Sequence, residues 1–142
     1  MKSVCWFLIF VPFNIMAKDC QLPANLSSWR IILEIDQFYQ PSNPKAGGLQ
    51  ELTFTASTVK DVSLETRELN QGAFQYKLLA PEVAVLISTL TQGPEPSQSK
   101  IIFACDTSLT GKYIFTQTHG ELKPNVRQNT GSYIITNRKN NP

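Results

Sequence analysis

Apolar side chains two residues apart recur along most of this chain, and that spacing constrains the fold more than any other feature. In SSWRIILEIDQ, Trp29, Ile31, Leu33 and Ile35 alternate with Arg30, Glu34 and Asp36. Successive side chains of a strand point to opposite faces, so this is a half-buried strand with one face to a core. ELTFTAST repeats the pattern through Leu52, Phe54 and Ala56, and its β-branched and aromatic content favours a strand. KDVSLETREL alternates through Val62 and Leu64 before the pattern is lost. AFQYKLLA (Phe74, Tyr76, Leu78), KIIFACD (Ile101, Phe103, Cys105), GKYIFTQT (Tyr113, Phe115) and SYIITNR (Tyr133, Ile135) carry it onward. Between them, QPSNPKAGG and GPEPSQS read as loops and Asn70-Gln71-Gly72 as a turn.

One segment departs from this rhythm. In PEVAVLISTLTQG, Val83, Leu86, Ile87 and Leu90 fall at i, i+3, i+4 and i+7, a helical stripe. Pro81 suits a first helical position, Glu82 complements the helix N-terminus and Gly93 suits a stop. The spacing predicts a short helix over 81–92, although VAVLI also reads as a buried strand. Six or seven short strands and one helix predict a mostly β protein, an antiparallel β-sandwich or barrel. The alternative is an α+β fold with the helix packed on one sheet. Without a βαβ rhythm, a parallel nucleotide-binding sheet is not expected.

The N-terminus, MKSVCWFLIFVPFNIMAKDC, places Lys2 before an apolar run and then a small residue, Ala17, as a secretory signal peptide does. The run falls well short of the ~20 residues that span a bilayer. Cleavage after Ala17 leaves 18–142, a single β-rich domain of about 125 residues with a polar C-terminal tail, RKNNP, expected to fray. It also removes Cys5, one of three cysteines, and leaves Cys20 and Cys105. In an oxidising compartment an even pair most simply forms one bridge. Closing a loop of this length is worth about 4–5 kcal/mol by the chain-entropy account. Acylation of Cys20 is the rival, but Asp19 stands where such sites take a small residue.

Catalytic constellations are weak. His119 is the sole histidine, and so the only candidate imidazole to serve Cys105 as a base. In THGE it reads instead as a hairpin-turn residue. One histidine and two paired cysteines do not make a zinc site, and Asp106 lacks the repeated ligand spacing of a calcium loop. Glu65 and Glu68 flank Arg67 in a polar stretch, the ordinary surroundings of exposed acids. No Gly-x-Ser-x-Gly elbow and no phosphate-binding glycine loop occurs. No catalytic residue, metal ligand or cofactor is therefore assigned. Asn25-Leu26-Ser27 is a glycosylation sequon, of consequence only in a eukaryotic secretory pathway.

Charge is uneven. Thr107–Pro142 carries Lys112, Lys123, Arg127, Arg138 and Lys139 against Glu121, whereas the mature chain as a whole is near neutral. Near-neutrality argues against nucleic acid as a partner. The basic third suggests a face for an acidic partner if its charges share one, with Lys112, Tyr113, Lys123 and Arg127 as candidate binding residues. Scattering of those charges around strands and tail is the simpler alternative. The expectation is a secreted or periplasmic, non-catalytic binding or accessory protein that recognises another protein or an envelope component, with no transmembrane segment after signal cleavage. A small exported enzyme inhibitor, acting through QPSNPKAGG or GPEPSQS, is the first alternative. A small secreted hydrolase is the second.

Overall fold

The computed structural model describes residues 20–91, 95–120 and 126–137. The expected leader (1–17), Lys123 and the tail from Arg138 lie outside the described residues. Eight strands follow one another: β1 (Trp29–Ile35), β2 (Leu49–Phe54), β3 (Thr58–Ser63), β4 (Leu69–Ala80), β5 (Val83–Thr91), β6 (Pro96–Cys105), β7 (Thr110–His119) and β8 (Arg127–Asn137). Each pairs antiparallel with the next, and β1 pairs with β8 from Trp29↔Asn137 to Ile35↔Gly131, which closes the sheet into an up-and-down barrel. Closure leaves no unpaired sheet edge.

The expected helix over 81–92 is not present: this segment is β5, and there is no helix among the described residues. The helical stripe misleads because β5 is apolar on both faces. Ala84, Leu86 and Ser88 are buried inside, while Val83, Val85 and Ile87 lie on the outer face, so the polar half of the alternation is missing. Ile87 is 46 % exposed there. Three further expectations are corrected. Asn70-Gln71-Gly72 lies within β4 and is no turn. Gly72 points inward, where a Cβ would collide with the Thr89 carbonyl of β5, so glycine serves a close approach between strands. GPEPSQS is not all loop, because Pro96 opens β6, at a strand start where its missing N–H is tolerated. In β3 the inward face is Val59, Asp61 and Ser63, the opposite phase to Val62 and Leu64.

One end of the barrel is plugged with apolar side chains. Leu22 and Leu26, from the segment that precedes β1, are each 2 % exposed and join Ile31, Phe54, Phe103, Tyr133 and Ile135 in the core. Complete burial of such a leucine contributes about 1.5–3 kcal/mol. Edge-to-face pairs, Phe54 with Phe74 and Phe103 with Tyr133, both at 5.1 Å between ring centroids, fill the space between strands. The N-terminal segment is fastened by Leu22 N–H donating to the Pro81 carbonyl (2.9 Å) and by the Tyr76 hydroxyl donating to the Pro23 carbonyl (3.0 Å). The expected Cys20–Cys105 disulfide is present, with its Cα atoms 6.0 Å apart, and ties this segment to the end of β6. Outward positions carry Lys60, Lys77, Lys100 and Lys112.

Candidate functional site: the open half of the barrel

An eight-stranded barrel is just wide enough for side chains to fill it or for one small ligand to occupy it. Here the two halves differ. Beyond the plug, the lumen holds a cavity of about 260 Å³ to which all eight strands contribute. Leu33, Leu52, Val59, Leu86, Ile101 and Phe115 supply its apolar wall. Among them stand polar side chains at inward strand positions, including Asp61, Asn70, Ser88, Ser99, Gln117 and Asn129. Pro44, Lys45, Glu68 and Glu95 line it from the connections between strands.

Some of the polar groups satisfy one another. The Ser88 and Ser99 hydroxyls share a buried hydrogen bond of 2.8 Å across β5 and β6, and the Ser97 hydroxyl donates to Gln117 Oε1 at 3.3 Å. Lys45 Nζ lies 3.6 Å from Glu68 Oε2. Others have no partner: Asp61 Oδ1, Asn70 Oδ1, Asn129 Oδ1 and the Tyr113 hydroxyl are enclosed without a hydrogen bond. Each such atom costs about 1–3 kcal/mol, and buried polar atoms are ordinarily matched by protein or by ordered water. All four line the one cavity.

Burial also dominates the electrostatics. Desolvation pushes the Asp61 carboxyl up to about 6, with Lys45 opposing and Glu68 adding to the shift. The Tyr113 phenol is raised, first by burial and then by the charges of Asp61, Glu34 and Asp36. Burial lowers Arg127, against which Glu68 works by favouring its charged form. Acids and bases of the lumen are thus mutually felt, as they are in an enclosed low-dielectric space.

The four residues singled out from the sequence do not form one outer face. Lys112 is exposed on the outside of β7. Its neighbour Tyr113 points inward and is 3 % exposed. Arg127, 6 % exposed at the start of β8, also lines the cavity, so the fold brings Tyr113 and Arg127 together inside the barrel. Gly131 makes room for this tyrosine, since a Cβ there would come within 2.7 Å of its ring. Cys105 and His119 sit at opposite ends of the β6–β7 pair, where Cys105 opposes Gly111 and His119 follows the Gln98 register at the other end. Seven residue steps lead from Gln98 to Cys105, about 23 Å, so the thiol and imidazole positions cannot act together. His119 is the last residue of β7 rather than a turn residue, and its Nε2 lies 3.6 Å from Glu95 Oε2.

Sequence reasoning missed Asp61, Asn70 and Asn129. Their only signal was a polar residue on the phase shared with Val59, Gly72 or Gly131, and a mixed strand such as TVKDVS does not declare which phase faces inward. Among the described residues, no three His, Cys, Asp or Glu side chains group closely enough to hold a metal ion. Compared with protein-family models, with curated proteins and with solved structures, the chain matches none.

Proposed function

We propose that this is an exported, non-catalytic binding protein, stapled by the Cys20–Cys105 disulfide, that holds a small molecule in the open half of its barrel. The observation that carries the reading is the cavity of about 260 Å³ with four enclosed, unpartnered polar atoms at its wall. A dry apolar void would not need them, and a fully packed core would not leave room. The disulfide suits an oxidising, extracytoplasmic location. This reading narrows the partner expected from the sequence, a protein or envelope component, to a molecule small enough to enter the lumen. A 150 Å³ cavity takes benzene, so this one takes a ligand of about ten heavy atoms. The test is native mass spectrometry and thermal-shift screening of the purified protein against small-molecule fragments. Hits should bind the wild type and be lost in Ser99→Phe, which fills the lumen. Hits that bind this variant equally well would refute the lumen as the site.

The inhibitor reading retains one specific observation in its favour. The β1–β2 connection presents Phe38 and Tyr39 at 76 % and 71 % exposure. It is braced from beneath by Asn43, 4 % exposed, whose Nδ2 donates to the carbonyls of Asp36 (3.2 Å) and Phe38 (3.1 Å). Two aromatic side chains on a braced loop fit insertion into a target's cleft. Phe38→Ala with Tyr39→Ala would abolish inhibition of such a target and leave fragment binding in the lumen unchanged.

A further inference from the structure

We infer that the molecule held in the lumen carries a protonated amine on a small apolar body, with Asp61 as the counter-ion of that amine. The inference rests on the lumen reading above and adds the chemistry of the guest. Three of the four unpartnered atoms, Asp61 Oδ1, Asn70 Oδ1 and Asn129 Oδ1, are acceptors, and the fourth, the Tyr113 hydroxyl, can accept as well as donate. Asp61 and Asn70 are directly opposed across β3 and β4, which sets two acceptors side by side on one wall. An ammonium group is the complement of such a set, because it offers three donors and no acceptor.

The neighbouring charges leave this role to Asp61. Charged groups bordering the cavity with it are Lys45 and Glu68 from the connections, Arg127 from β8, and Glu95 at the mouth, with Tyr113 as the titratable group facing it from β7. Glu68 is ion-paired with Lys45 at 3.6 Å and also favours the charged form of Arg127. Among the described residues Asp61 forms no ion pair of its own, and it feels Lys45 only through the longer-range field. The remainder of the wall, from Leu33, Leu52, Val59, Leu86, Leu90 and Ile101, asks for hydrocarbon. An aliphatic or aromatic body of about ten heavy atoms with one amine meets both demands.

Calorimetry of the purified protein with 2-phenylethylamine, 2-phenylethanol and phenylacetate tests this, since the three are close in size and differ in charge. The amine should bind at least about tenfold more tightly than the alcohol at pH 8, as a charge-assisted hydrogen bond requires. Asp61→Asn should remove that preference, so that the amine and the alcohol bind the variant with similar affinity. Independently of any variant, wild-type affinity for the amine should fall as pH drops through about 6, where the carboxyl takes up its proton, and affinity for the alcohol should not. Equal binding of all three, or an amine preference indifferent to both the variant and pH, would overturn the amine inference and leave the lumen reading in place. Binding of none of the three, at any pH, would overturn both.

Discussion

Replacing Asp61 by asparagine should stabilise the protein at neutral pH and do nothing in acid. The carboxyl titrates near 6 in the folded state against 3.8 for an unhindered aspartate, chiefly because burial penalises its charged form. A raised folded-state value means that the native protein binds the proton more readily than the unfolded chain does. Asp61 therefore costs nothing below about pH 4, where it is protonated in both states. Its penalty grows between about 4 and 6 and is complete above 6, at about 3 kcal/mol from 1.36 kcal/mol per pH unit. Asparagine has nearly the same shape and cannot ionise, so the substitution should recover up to that amount at pH 8. Urea denaturation of wild type and Asp61→Asn at pH 8, 6 and 4 reads the difference directly, with the midpoint rising in the variant at pH 8 and coinciding with wild type at pH 4. A variant equally destabilised at all three values would refute the reasoning, because it would show that the carboxylate is matched in the native state. The charge would then be a native stabiliser and not a cost kept for a guest. Proteins tolerate such costs chiefly where a site needs them.

Other expectations concern the scaffold. Cys20→Ser with Cys105→Ser should lower the unfolding free energy by up to about 4–5 kcal/mol, read by denaturant titration under non-reducing conditions. Leu26→Ala empties part of the plug and should cost about 2–5 kcal/mol, with the thermal midpoint falling accordingly. Burial also pushes the Tyr133 phenol up to about 12. Its folded-state value lies above that of the unfolded chain, so the stability it contributes is present below about pH 10 and lost as pH rises towards 12. Alkaline difference absorbance should show three fewer early-titrating phenols in the folded protein than in the unfolded chain, because Tyr76, Tyr113 and Tyr133 are all raised, and Tyr133→Phe should remove a late one.

Strands with one polar and one apolar face were legible in the sequence, as at β1 and β2, because the period of two is forced by the pleat. A mostly β sandwich or barrel and the Cys20–Cys105 pairing followed from that periodicity and from cysteine arithmetic, while the choice of a closed barrel came only with the β1–β8 pairing. Where both faces of a strand are apolar the period disappears, and Val83, Leu86, Ile87 and Leu90 of β5 then match a helix equally well. Outward Val85 lies opposite Ile102, which in turn lies opposite Ile114, so these side chains cover one another across β5, β6 and β7. That cross-strand relation is long-range and leaves no local mark. The site was less legible than the fold for a related reason. Gly72 and Asp61 look like turn and surface residues until closure of the sheet decides which side is inside. Tyr113 and Arg127 were picked out for charge and aromatic character on an outer face, yet both point inward and line the cavity.

Pairing of β1 with β8 has a kinetic consequence. Trp29 and Asn137 are the first and last strand residues of the barrel, and their ladder forms only when nearly the whole chain is in place. Every other strand pair is a local hairpin that can assemble in order along the chain, but the final seam carries the largest loop-closure entropy. Folding should therefore be slow for a protein of this size, and its last barrier should be the meeting of β1 and β8. Until that meeting both strands present open edges, so this seam is the interval in which a second copy could pair in place of the correct partner. The Cys20–Cys105 bridge, which joins the start of the described chain to the end of β6, shortens the search that β8 must make.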